Sequence, residues 1–142
     1  MILLVVLIAG LAYVRLSPGD REAFHVDPLT AADPGKSGVL LVPGSGAATY
    51  PVPPGALLAA FDKIVLASPR TRLFAGGVAG GLVTYVARSK WFGFPDYISV
   101  RAVAVDGGSQ LAVYSRLRFG GSDLGVNAAR LDGWLEALQP VE

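Results

Sequence analysis

Apolar and polar positions divide the chain into three stretches. From Met1 to Val14 there is no charged side chain and almost every position is apolar, the pattern of a helix without a polar face. From Ser17 to Ser37, Pro, Gly, Asp and Ala mix without a sustained period, which reads as a linker running over a surface. Beyond Gly38 the apolar positions recur every two, or every three to four, residues, so this remainder is expected to fold.

Within it, Gly38 to Val42 predicts a brief strand, ended by Pro43-Gly44-Ser45-Gly46. Pro53 and Pro54 open a helix whose stripe is Leu57, Leu58, Phe61, Ile64 and Val65, with Asp62 and Lys63 opposite. Ser68-Pro69 stops it, because the residue before proline is pushed out of the helical region. Arg72 to Ala75 predicts a short strand, and the glycine-rich Gly76 to Gly81 a hairpin connection. Leu82 to Ser89, Tyr97 to Val105 and Gln110 to Phe119 predict three further strands.

A symmetric turn at Asp106-Gly107-Gly108-Ser109 would pair Val105 with Gln110, Arg101 with Tyr114, Ser99 with Arg116 and Tyr97 with Arg118. One face then carries Ile98, Val100, Leu111 and Val113, and must meet the helices. The other gathers Arg101, Arg116 and Arg118 with Tyr97 and Tyr114. Ser122 or Asp123 caps a last helix with the stripe Leu124, Leu131, Trp134, Leu135 and Leu138. Gly125 in its first turn implies a close backbone approach. The expected fold is α+β: an antiparallel sheet of about four to five strands packed on one face by two helices, preceded by a single N-terminal membrane helix. A helix-grip arrangement is the alternative topology.

As a helix, Met1 to Val14 reaches about 21 Å, short of a hydrocarbon core of about 30 Å; Arg15, snorkelling, narrows the gap. The organisation expected is an anchor over residues 1–16, a linker over 17–37 and a domain over 38–142. An uncleaved anchor fits better than a cleaved signal, since a basic leading region and a small-residue cleavage site are both missing. Arg15 and Arg21, which follow the apolar run, favour a cytoplasmic domain by the positive-inside rule.

Composition narrows the chemistry. With 142 residues, 16% charged side chains and a net charge of +1, no long-range field would draw the protein to nucleic acid. No cysteine is present, so disulfide, zinc-thiolate and redox-thiol sites are excluded. The single histidine, His25, has no second His or Cys to work with, and the carboxylates lack ligand spacing; neither metal nor cofactor is expected. Gly44-Ser45-Gly46 and the Gly76 to Gly81 run lack the residues a phosphate loop needs.

Two binding surfaces remain. Arg101, Tyr114, Arg116 and Arg118 on the outer sheet face form either a solvated surface or a patch for an anionic group such as a lipid head group. Trp91, with Phe92 and Phe94, forms either a packed corner or an interaction loop able to dip into a membrane. Catalysis would fall to Asp96 or Asp123 as acid or base beside an arginine, but a capping carboxylate is usually ionised and structural. No catalytic residue is assigned.

The tract Ser115, Arg118, Gly120, Ser122, Asp123, Leu124, Gly125, Asn127 and Arg130, with Phe94-Pro95-Asp96 upstream, resembles the bacterial and plastid family of unknown function DUF1499. Its hallmark reads approximately R-S-x-S-R-x-G-x-S-D-L-G-x-N-x-x-R. Tyr114 stands where the family usually has arginine and Leu117 where it has serine. The resemblance covers about Leu41 to Leu138. It implies a membrane-tethered envelope protein with its domain on the periplasmic side, against the local charge pattern, and it implies no reaction. The functional expectation is a non-catalytic binding or assembly module with a membrane-protein or lipid partner. A lipid-binding domain using the Arg/Tyr face, and a hydrolase-like enzyme, are the alternatives. Ser122, Asp123, Gly125, Asn127 and Arg130 are read as a structural strand-to-helix junction.

Overall fold

A computed structural model of the chain describes residues 1–138. The first element, α1 (Ile2–Leu16), is followed by a single helical turn, α2 (Arg21–Phe24), that Asp20 caps through the Glu22 amide at 2.9 Å. Then come β1 (Gly38–Leu41), α3 (Pro54–Leu66), β2 (Thr71–Gly77), β3 (Leu82–Arg88), β4 (Pro95–Val105), β5 (Gly108–Leu117) and α4 (Val126–Leu138). All neighbours pair antiparallel, in the order β1-β5-β4-β3-β2. The fold is thus α+β with a five-stranded antiparallel sheet, as the two periods implied.

One sheet face is the core. Val83, Tyr85, Ile98, Val100, Leu111 and Val113 meet Leu57, Leu58, Phe61 and Val65 of α3 and Leu131, Trp134 and Leu138 of α4, all buried. Each such aliphatic or aromatic side chain contributes about 1.5–3 kcal/mol relative to exposure. Phe61 and Trp134 meet edge to face at 5.9 Å. Two polar tips on this core find partners, the Tyr85 hydroxyl donating to Asp62 at 2.7 Å and the Trp134 indole N–H to Ser68 at 2.7 Å, whereas the buried Tyr50 hydroxyl has none among the described residues.

Four expectations need correction. The β4–β5 turn holds only Asp106-Gly107, closed by Val105 opposite Gly108, so Tyr97 faces Arg116 and Ser99 faces Tyr114. The predicted partners are displaced by two residues; two is the side-chain period of a strand, so both faces keep their membership. Gly125 has open space where a Cβ would sit, and its φ of +80° is what selects glycine. Leu124 precedes α4, is 91% exposed and contributes nothing to the core stripe.

The fourth concerns the N-terminus. The apolar run does form a helix, but among the described residues none is long and apolar enough to cross a membrane. The 15 residues of α1 rise about 22 Å against a core of about 30 Å. What the domain presents is therefore an exposed apolar helix with no buried residue.

Candidate functional site

The outer face of the sheet is where the arginines converge, and much of it is covered. The segment from Ser17 to Asp27 crosses it. Phe24 stacks on Tyr97 with ring centroids 4.1 Å apart, and Arg101 pairs with Asp27 at 3.0 Å. Arg116 is buried; it donates to the carbonyls of Tyr97 and Tyr114, each at 3.2 Å, to the Ser99 hydroxyl at 3.1 Å, and to the Phe24 carbonyl. Its guanidinium lies over the Tyr114 ring at 4.3 Å. Burial lowers its pKa to about 10, so it stays charged at neutral pH, held by dipoles and an aromatic face rather than by a carboxylate. Arg118 donates to the Ser17 and Pro18 carbonyls at 3.1 and 3.2 Å.

His25 extends this polar layer. Its Nδ1 meets the Thr84 hydroxyl at 2.8 Å, Thr84 meets Ser99 at 2.9 Å, and Ser99 donates to the Phe24 carbonyl at 3.2 Å. Since each hydroxyl has one proton, Ser99 must accept from Thr84 and Thr84 from a protonated His25 Nδ1. Burial, then the charges of Arg21 and Arg116, lower the His25 pKa and keep the ring neutral. His25 thus positions the crossing segment.

Beyond the segment the same face opens into a cavity of about 740 Å³ between the end of α1, the β2–β3 edge and the 89–93 loop. Among the described residues five cationic side chains line it, namely Arg15, Arg70, Arg72, Arg88 and Lys90, and no carboxylate does. Phe74, Val86 and Tyr97 form its apolar floor. Strand pairing builds the cluster: Arg72 lies opposite Val86, one row from Arg88, whose amide bonds the Arg70 carbonyl at 2.9 Å. Arg70 itself has φ +55°, a strained setting for a side chain with a Cβ, and its Nε donates to the Arg88 carbonyl at 3.2 Å. Arg88 Nη1 donates to the Gly93 carbonyl at 2.8 Å and reaches the Val14 carbonyl at 3.4 Å, joining loop and helix end. Burial, followed by the charge of Arg72 and then those of Arg15 and Arg118, holds Arg88 below the ordinary arginine range, Tyr97 opposing. Cations held together against their repulsion, in a concave site, favour an anion.

The strand-to-helix tract forms a separate network on the core side. Asp123 accepts from the amides of Gly125 and Asn127 at 2.9 and 3.0 Å and from the Asn127 side chain at 2.9 Å. Asn127 Oδ1 in turn accepts from the buried Ser115 hydroxyl and from Arg130 at 3.0 Å, and Arg130 pairs with Asp96 at 3.1 Å. Burial raises the Asp123 pKa, but the bonds from Asn127 and Gly125 and the Arg130 charge outweigh it and hold the group below the usual range. Asp96 goes the other way: burial raises it, against the Arg130 charge and hydrogen bond. Ser122 accepts only a long bond from the Leu124 amide, 3.3 Å. Both oxygens of Asp123 and Oδ2 of Asp96 are hydrogen-bonded within this network, and neither the basic cavity nor the groove beside α1 is lined by Asp96 or Asp123.

The structure therefore unites Ser115, Asp123, Asn127 and Arg130 with Asp96, and Arg101, Tyr114, Arg116 and Arg118 beneath the N-terminal segment. It leaves Trp91 apart, 78% exposed, with Phe92 and Phe94 also exposed, so the aromatic loop is not a packed corner. Among the described residues no cluster of three His, Asp or Glu side chains offers a metal site. The basic cavity was not anticipated, although its signal lies in the sequence: no Asp or Glu occurs between Asp62 and Asp96, while Arg70, Arg72, Arg88 and Lys90 do. No curated protein and no solved structure matches the chain. Residues 23–138, which include the crossing residues from Phe24 onward, the whole sheet and the strand-to-helix network, match the family described as "Protein of unknown function (DUF1499)", and the chain belongs to that family.

Proposed function

We propose that this protein is a non-catalytic binding module of the cell envelope that holds an anionic group in the basic cavity while α1 attaches it to a membrane. The observation that carries this reading is the cavity lined by Arg15, Arg70, Arg72, Arg88 and Lys90 with no carboxylate among the described residues. Among the described residues the two ion pairs, Arg101–Asp27 and Arg130–Asp96, involve none of these five. The site for the ligand moves accordingly from the Arg/Tyr face, whose Arg116 is engaged by the chain's own carbonyls, to the open part of the same sheet surface.

Membrane attachment rests on the exposed apolar surface of α1, long enough to enter one leaflet though not to cross both. A periplasmic domain is the placement the family suggests. Hydrolysis by Asp96 or Asp123 is disfavoured, because both carboxylates are committed to the strand-to-helix network.

Inorganic phosphate is the test probe. A ligand that binds only the native state raises its melting temperature by mass action. Phosphate is expected to raise that of the wild type and to leave an Arg72→Gln/Lys90→Gln variant unmoved. An equal rise in both proteins would refute the site.

A further inference from the structure

The basic cavity has an apolar neighbour. A groove of about 280 Å³ runs between Ile8, Leu11 and Ala12 of α1 and Trp91 and Phe92 of the loop, and Arg15 lines both the groove and the cavity. The four α1 positions 8, 11, 12 and 15 lie at spacings of three and four residues, so a single helix face supplies the apolar wall and then, one turn on, the first cation. The loop is held against that face: Gly93 has φ +70°, and a Cβ there would come within 3.3 Å of Arg15, while Ser89 closes the loop through the Phe94 amide at 3.0 Å. An anion site and an apolar channel that meet at one residue match the two ends of a single amphiphile.

Resting on the reading that the cavity binds an anion, we propose that its ligand is an anionic phospholipid. The phosphate enters the basic cavity past Arg15, and an acyl chain lies along α1 against Trp91 and Phe92. Exposed Trp and Phe beside an apolar helix are suited to the level where head groups meet chains. Charge complementarity commits the site to anionic lipids, because a zwitterionic head group would bring a cation into a cavity that already holds five cationic residues. A free phosphate would use only half the site.

The two tryptophans make the test direct. Trp134 is buried in the core and Trp91 is exposed, so acyl-chain bromines in a bilayer quench Trp91 selectively. The full chain is reconstituted in phosphatidylcholine vesicles containing, at equal fraction, brominated phosphatidylglycerol or brominated phosphatidylcholine. Quenching by the glycerol lipid is expected to exceed that by the choline lipid. Arg72→Gln/Lys90→Gln should lower the affinity behind this excess by about fivefold or more, from the contribution of each cation near an anionic lipid. Quenching by the choline lipid should be unchanged, which also reports an intact fold. Lys63→Gln, an exposed cation on α3 outside the cavity, should leave the excess intact.

Equal quenching by both lipids overturns the proposal, and so does an equal loss in Lys63→Gln, which would mean bulk surface attraction. If inorganic phosphate raises the wild-type melting temperature but brominated phosphatidylglycerol shows no excess, the cavity binds soluble anions and only the lipid inference falls. If neither probe responds, the anion site falls with it.

Discussion

Asp123 shows how one side chain can hold a junction. It caps α4 through two backbone amides and orients Asn127, which passes the connection to Ser115 on β5 and, through Arg130, to Asp96 on β4. Removing it should destabilise the fold by about 1–2 kcal/mol, the usual range for a lost capping side chain. The sign with pH follows from its lowered pKa: the stabilisation is complete above the ordinary value of 3.8 and is lost as pH falls through the lower folded value. Chemical denaturation of Asp123→Ala against wild type should thus show a gap at neutral pH that closes on acidification. A gap that persisted unchanged at low pH would assign the effect to something other than the carboxylate. Asp96 carries the opposite sign, since its ionised form is disfavoured by burial, so the difference between the two proteins is more informative than either curve alone.

At the scale of elements, the crossing segment and the sheet stabilise each other. Arg116 is the link, with one guanidinium bonded to three backbone carbonyls, one of them Phe24 from the segment. Hydrogen bonds to a charged group contribute about 1.5–3 kcal/mol each, and without Arg116 the Phe24 carbonyl keeps only the Ser99 hydroxyl. Arg116→Leu should therefore loosen the segment first. Trypsin should cut after the exposed Arg21 faster than in the wild type, with cleavage after Lys63 in α3 little changed. Parallel acceleration at both sites would mean global unfolding, and no acceleration would mean that Phe24 stacking on Tyr97 suffices. The elements themselves were legible in the sequence. Leu57, Phe61 and Val65 announced α3, and the alternation in β4 and β5 assigned every residue to its correct face. The pairing was not legible, because it depends on whether the turn takes two residues or four, and Asp106-Gly107-Gly108-Ser109 is compatible with both.

For the whole molecule, the salient property is an apolar helix projecting beside a cationic cavity. Its Leu4 and Ile8 are exposed and take no part in the domain's core. Vesicle flotation should recover the full chain with the lipid even at high salt, because burial of apolar surface is not screened. Leu4→Asp/Ile8→Asp should release it: an aspartate at the centre of an inserted helix costs about 2.5–3.5 kcal/mol, more than a tenfold loss in partitioning. Undiminished flotation of that variant would show that α1 is not the attachment.

What the sequence determined by itself is everything written in local periodicity. It marked which stretches are helices or strands, which side chains share a face, and that Gly120 to Asn127 joins the last strand to the last helix. Tertiary structure alone decided what those faces meet. Arg116 and Arg118 look free in the sequence, yet the Ser17–Asp27 segment, about a hundred residues upstream, supplies their carbonyl partners. Arg15, Arg70, Arg72, Arg88 and Lys90 look unremarkable one by one, and become a site only when β2 pairs with β3 and the end of α1 folds over both. The physical reason is that amphipathic period is a property of a few neighbouring residues, whereas desolvation and charge clustering depend on which distant segment arrives at a surface.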